Sequence, residues 1–350
     1  MQNKKFYYIN FIYFVSLLCL VVSFGLIYLK VIENEIVSTL LIQIAVITAI
    51  PCLLYTLIVS KSTKQTAKDF GFKKTSLKII LIAIVLGVVI YVLNIFVSTF
   101  FQSIIYTMGY NDTFLPPILG IDPFVSDILL IAVLPGICEE ILHRGMLLGG
   151  LKKITNPRLA LILSSIFFGL MHLDVIKFFY ATILGFLIGY IVLVSDSIFT
   201  GIIMHFMNNF LSVYFAYAES RHLFMGNARQ VLFDVVFGGS AISTIFIVSA
   251  LLIILIGLYR YFVQVIVKTK MRQRAEEVVK SLNMENLSQR EFLEKMSLIN
   301  SILVQVKSKE VLVDMKKTKS NLSFTDKIFT ICIVIMGVFG TVATFIWGIM

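Results

Sequence analysis

Long uninterrupted apolar blocks, separated by short polar segments, constrain this chain more than any other feature. Each block approaches the roughly 20 residues that a helix needs to cross a hydrocarbon layer about 30 Å thick. Little of the 350-residue chain is left for a soluble domain. The predicted membrane spans are residues 6–29, 36–60, 79–103, 125–149, 159–173, 178–194, 198–218, 240–262 and 327–349.

Composition agrees with a membrane protein and argues against a nucleic-acid-binding one. Hydrophobic residues make up 58% of the chain and charged residues 14%, whereas a soluble domain carries roughly a quarter charged residues. The net charge of +10 lies mostly in the short segments between apolar blocks, where basic side chains set orientation and contact anionic lipid. We therefore expect the lipid bilayer as a partner and no nucleic acid; the oligomeric state is left open.

The basic residues also predict how the chain is oriented. They cluster in segments 61–78, 152–158 and 260–274, which follow the second, fourth and eighth spans. The connections at 30–35, 104–124 and 219–239, on the other side, hold few basic residues. Because positive loops stay in the cytoplasm, the amino terminus is predicted to be cytoplasmic, in the cell membrane if the source is bacterial.

These patterns predict an all-α polytopic membrane protein with an eight-helix core and a ninth, carboxyl-terminal transmembrane helix. The predicted divisions are an eight-span membrane domain at 1–263, a basic cytoplasmic helical segment at 264–326 and a transmembrane helix at 327–350. In the middle segment, Ser288 and Glu291 have the spacing of a capping box that opens a helix. The segment is interpreted as a solvated linker or as a regulatory module.

Charged residues inside the fourth span carry the first functional signal, because an ionisable group at the centre of a span costs about 2.5 kcal/mol or more. Glu140 and Arg144 are one helical turn apart and can pair. Glu139 lies about 100° away around the helix and is left free for chemistry. Pro135 and Gly136, just upstream, interrupt backbone hydrogen bonding and can make room for water.

Two further spans carry histidines at helical spacing. His172 shares a helix face with Phe168 in the fifth span, and His205 shares one with Asn209 in the seventh, while Asn208 is expected to point elsewhere. A single membrane histidine is often only a packing group. Together with the acids, however, these side chains predict one shared functional site.

Three ordered motifs, Glu139-Glu140-x-x-x-Arg144, Phe168-x-x-x-His172 and His205-x-x-x-Asn209, resemble the signature motifs of one protease family. This is the CPBP (CAAX protease and bacteriocin-processing, or Abi) family, which includes the type II CAAX prenyl endopeptidases. The resemblance covers about residues 125–218. It implies an all-helical core of about eight spans around a conical cavity open to the cytoplasm.

The resemblance also implies roles for individual residues. Glu139 would be the general base that activates water with help from His172, while His205 and Asn209 would donate hydrogen bonds to the oxyanion. Glu140 and Arg144 would support them. The implied activity is that of an intramembrane endopeptidase acting on a membrane-associated protein or peptide.

The chain departs from the family pattern in two places. His143 stands where the family usually has an aromatic residue, and 264–350 adds a tail to the core. From its position, His143 could join the site one turn from Glu139 or lie at the cytoplasmic surface.

Alternative chemistries and functions stay open at this stage. Glu139, His172 and His205 could hold zinc with one open position, and the family is commonly labelled metalloprotease. The chain has no His-Glu-x-x-His motif, and the metal-independent mechanism is favoured, with no cofactor. A proton-coupled transporter would also place acids and histidines in the membrane, although no internal repeat is found. A non-catalytic membrane scaffold of the same fold is the other alternative.

Overall fold

The computed structural model describes residues 8–110, 124–281, 288–307 and 322–349, and within these ranges it consists of helices joined by turns, with no strand. The all-α prediction is therefore confirmed. In chain order the helices are α1 (Ile9–Tyr28), α2 (Glu35–Ser60), α3 (Thr63–Asp69), α4 (Leu77–Thr107), α5 (124–154), α6 (Pro157–Met171), α7 (Val175–Ser195), α8 (Ile198–Ser220), α9 (Ala228–Phe237), α10 (Ala241–Ser281), α11 (Gln289–Lys307) and α12 (Phe324–Ile349).

Seven of the described helices are long and apolar enough to cross a membrane, namely α1, α2, α4, α7, α8, α10 and α12. They account for seven of the nine predicted spans, so the prediction of a polytopic membrane protein is confirmed. The other two spans are α5, which contains the acidic and basic residues of the first motif, and α6. With 15 residues, α6 is only about 22 Å long.

Side-chain hydrogen bonds cap the first turns of α6 and α11. The Asn156 side chain accepts a hydrogen bond from the Leu159 amide at 2.8 Å and caps α6, whose first residue is Pro157. The predicted capping box of α11 is present, because the amide and hydroxyl of Ser288 donate to Glu291 at 3.0 and 2.7 Å. These contacts satisfy backbone groups that a helix terminus leaves unpaired.

Helix α10 is longer than the span that hydropathy predicts. The predicted span ends at 262 and the membrane domain at 263, but the helix continues to Ser281. The fall in hydropathy marks where the apolar span ends. The helix continues beyond it because Lys, Arg, Glu and Gln favour helix nearly as well as Leu does. Residues 111–123, in the predicted connection 104–124, lie outside the described residues, and so do 282–287 and 308–321 in the predicted cytoplasmic segment 264–326.

One end of the bundle carries the basic loops and is covered by α3 and the turn that follows it. Here the Lys153 ammonium lies 2.7 Å from Asp69, and the Lys73 ammonium 2.7 Å from Asp196. Phe70, 3% exposed, packs where Gly145 of α5 leaves space. We call this face, formed by 61–78, 149–158 and 195–198, the basic end.

Candidate active site

Glu139 lies on α5 with only 7% of its surface exposed. Its Oε1 accepts a hydrogen bond from the Gln43 side-chain amide on α2 at 3.1 Å. Its Oε2 is 4.0 Å from Nε2 of His205 on α8. The carboxylate is thus held on one side by α2 and faces His205 on the other.

Glu140 points into a separate, fully buried ion pair. Its Oε1 lies 2.7 Å from Nη1 of Arg144, without the alignment of a hydrogen bond, and 3.0 Å from Nδ1 of His205. Arg144 also donates from Nη2 to the Gly185 carbonyl at 3.2 Å and stacks over the Phe168 ring, 4.6 Å from its centroid. The predicted pairing of Glu140 with Arg144 is confirmed, and it reaches His205 as well.

The Glu140 carboxylate fits because α8 has a glycine beside it. A Cβ on Gly201 would lie 2.6 Å from Oε2 of Glu140. This oxygen is buried and has no hydrogen-bond partner among the described residues, so it cannot move away without shifting the ion pair.

We expect Gly201→Ala to lower activity strongly by displacing Glu140 and, through it, His205. The matched control is Gly257→Ala on α10, because a Cβ there meets no atom within 4 Å. Both proteins should be compared for amount in the membrane and for peptide cleavage. Equal cleavage by the two variants would show that the close approach of α8 to Glu140 is not needed.

His172 immediately follows the last residue of α6. Its Nδ1 lies 2.8 Å from the Phe168 carbonyl, and because a carbonyl only accepts, Nδ1 carries the proton and Nε2 is left for other contacts. The Phe168 ring meets both catalytic candidates edge-on, with centroid distances of 5.1 Å to His172 and 5.7 Å to His205. Phe168 therefore packs against both histidines.

His143 is fully buried, so of the two positions left open for it the cytoplasmic surface is wrong. Its Nδ1 lies 2.9 Å from the Glu139 carbonyl, and its Nε2 lies 3.1 Å from the Tyr13 hydroxyl on α1. It braces the turn that presents Glu139 but does not line the cavity described below. The apolar surroundings of α1 and α6 hold it inside.

Asn209 donates a hydrogen bond to a backbone carbonyl that a proline leaves without its helical donor. Pro135 has no N–H, so the Ile131 carbonyl, four residues earlier, lacks its usual helical donor. The Asn209 side chain donates to that carbonyl at 3.0 Å. Asn208 was expected to point elsewhere, but it donates to Asn209 Oδ1 at 2.9 Å and accepts from Asn94 on α4 at 3.4 Å. The site is wide enough for neighbouring positions on α8 to flank it together.

All four predicted catalytic side chains meet at one cavity of about 520 Å³ between α4, α5, α6, α7 and α8. Glu139, His172, His205 and Asn209 line it, and Asn208 lines it with them. Glu140, His143 and Arg144 lie behind the cavity wall. Sequence reasoning missed Gln43 and Asn94, although a lone amide inside an apolar span is itself a signal of an interhelical partner.

The three residues named above as possible zinc ligands do not form a cluster in the structure. Among the residues that the structure describes, no three His, Cys, Asp or Glu side chains come together closely enough for a metal ion. Glu139 and His205 approach each other to 4.0 Å, and the Phe168 ring contacts both His172 and His205.

Residues 122–211 match the family model described as type II CAAX prenyl endopeptidase Rce1-like. The matched segment contains all three motifs and supports the resemblance to CAAX proteases. No curated protein and no solved structure matches the chain.

Proposed function

Residues 122–211 carry the signature of the CPBP and CAAX-protease-like family, and from that premise we propose that the protein is an intramembrane endopeptidase. It hydrolyses a peptide bond in a membrane-associated protein or peptide, with water activated by Glu139 and His172. The observation that carries the proposal is the convergence of Glu139, His172, His205 and Asn209, from three separate helices, on one cavity.

Glu139 has the placement that a general base needs. The Gln43 amide holds Oε1, which leaves Oε2 directed to the cavity to accept a proton from water. His172 donates from Nδ1 to the Phe168 carbonyl, which leaves its Nε2 to accept a hydrogen bond from the same water. The proton taken by Glu139 is then delivered to the departing amine, and the water oxygen becomes part of the new carboxyl group.

His205 and Asn209 supply hydrogen bonds to the negative oxygen of the tetrahedral intermediate. For His205 to donate from Nε2, its ring must be doubly protonated, because Nδ1 already carries a proton toward Glu140. An imidazolium would balance the cluster, since two carboxylates otherwise face only the Arg144 guanidinium. Asn209 keeps one amide hydrogen for the intermediate after donating the other to Ile131.

Comparison of peptides from membranes of cells with the wild-type protein and with Glu139→Ala tests this function. The endopeptidase predicts that specific fragments disappear in the variant while their uncleaved precursors accumulate. Cys138→Ser is the matched control, because it changes the neighbouring buried residue and spares the base. A scaffold or transporter instead predicts an unchanged set of peptides and, for the scaffold, an unchanged cellular role.

A further inference from the structure

We propose that the substrate segment enters the active site from the end of the bundle opposite the basic end, which is the extracytoplasmic side in the predicted orientation. The nature of the substrate rests on the proposed function, whereas the direction of access rests on the shape of the bundle. The cytoplasmic opening that the family resemblance implies points the other way.

The basic end is closed by packing. A Cβ on Gly145 would meet Phe70 at 3.1 Å, and a Cβ on Gly149 would meet the Asp69 carbonyl at 3.1 Å, so α3 lies directly against α5. The ion pair of Asp69 with Lys153 joins these two helices at 2.7 Å. No space for a peptide is left between them.

A second layer closes the floor of the cavity on the same side. Glu140 is 0% and Arg144 3% exposed, and both lie between the cavity and the basic end. The close approach of Gly201 to Glu140 joins α8 to this floor. A peptide arriving from the basic end would have to break the buried ion pair to reach Glu139.

The cavity extends in the opposite direction. On α8, which begins at Ile198 at the basic end, His205 is seven residues in, or about 10 Å. On α4, which begins at Leu77 at the basic end and ends at Thr107, Asn94 and Gln102 both lie in the second half of the helix. All three line the cavity, so its wall runs from the catalytic groups toward the far end.

Exposure rises along the same direction. The side chains of Glu139 and His205, at the floor, are 10% and 3% exposed, whereas that of Lys177, near the far end of α7, is 37% exposed. Among the described residues that line the cavity, Lys177 is the one with a side-chain ammonium group. This ammonium lies 4.0 Å from the Asp174 carboxylate.

The chemistry of the far half suits a polar peptide segment. It presents the amides of Asn94 and Gln102 and the hydroxyl oxygens of Ser98 and Ser212. The two hydroxyls donate to carbonyls of their own helices, but their oxygens can still accept from the N–H groups of an extended backbone, whereas a lipid chain has no group to pair with any of them. We infer that the substrate is the extracytoplasmic end of a membrane-inserted protein or peptide.

Cysteine labelling from either side of the membrane tests the direction of access. The starting protein has its four native cysteines, Cys19, Cys52, Cys138 and Cys332, replaced by serine. Gln102→Cys and Ser98→Cys report on the cavity, Lys74→Cys on the basic end, and Phe224→Cys, at an 81% exposed position, on the opposite end. A negatively charged, membrane-impermeant thiol reagent is applied to intact cells or spheroplasts and to inside-out vesicles.

We expect both cavity cysteines to be labelled together with Phe224→Cys in intact cells, and Lys74→Cys only in inside-out vesicles. Labelling of the cavity cysteines together with Lys74→Cys would overturn the proposal, and so would protection from both sides while the controls react. If the cysteine-free protein is not retained in the membrane, the same four substitutions are made in the wild-type protein. Labelling is then measured above that of the native cysteines. Because labelling needs no cleavage, its outcome is independent of whether the protein is a peptidase.

Discussion

Glu139→Gln is expected to lower the turnover of purified protein by about 10²-fold or more, because it removes the proton acceptor and little else. The glutamine oxygen can still accept the hydrogen bond from Gln43, which reaches Glu139 at 3.1 Å. Folding and substrate binding should therefore persist, as thermal unfolding and peptide binding in detergent would show. Cys138→Ser is the control, because that side chain lies next to Glu139 and has no assigned chemistry; it should keep most activity.

The same preparation decides between direct and metal-assisted water activation. If Glu139 and His172 act directly, exhaustive chelation and metal removal should leave the cleavage rate unchanged. If zinc is required, chelation should abolish cleavage, added zinc should restore it, and elemental analysis should find about one equivalent that His172→Ala and His205→Ala lose. Stoichiometric zinc with chelator-reversible activity would overturn the direct mechanism while leaving the same residues in the site.

Arg144→Ala should destabilise the fold by about 3–5 kcal/mol, because it removes the guanidinium that pairs with the buried Glu140 carboxylate. Arg144 and Glu140 are 3% and 0% exposed and sit at i, i+4 spacing. The matched control is Arg272→Ala, which breaks an i, i+4 pair with Glu276 whose side chains are 84% and 57% exposed. Removing such an exposed pair should change thermal unfolding very little.

A double variant separates the stability of the pair from its role in the site. Glu140→Gln combined with Arg144→Met removes both charges at similar volume and should recover much of the lost stability. Activity should stay low, because His205 loses the carboxylate that holds its Nδ1 at 3.0 Å. If Arg144→Ala unfolds no more readily than Arg272→Ala, the pair is not the structural anchor described here.

Local patterns in the sequence predict much of this architecture. Apolar blocks locate the helices because each block is a property of consecutive residues, and the i, i+4 motifs pair correctly because helix geometry fixes their faces. Glu140 with Arg144 is the clearest example. The capping box at Ser288 and Glu291 is another, since both partners lie within one turn.

Contacts between distant helices could not be predicted in this way. Gln43 and Glu139 are 96 residues apart, and Tyr13 and His143 are 130 apart. Their pairing depends on the rotation and depth of each helix, which hydropathy does not specify. The position of His143 shows the consequence, because its place along the span left both the site and the surface open, and packing against α1 buries it.

The shortness of α6 has a consequence for hydration. At about 22 Å it ends about 8 Å short of a hydrocarbon layer about 30 Å thick, and the chain reverses at Leu173, where φ is 50°. Backbone that leaves a helix at membrane depth is tolerated only where protein buries it or water reaches it. Leu173 and Asp174 are buried by protein, so in the proposed mechanism water reaches His172 through the cavity that it lines. The length of α6 then sets the depth of the proposed hydrolysis.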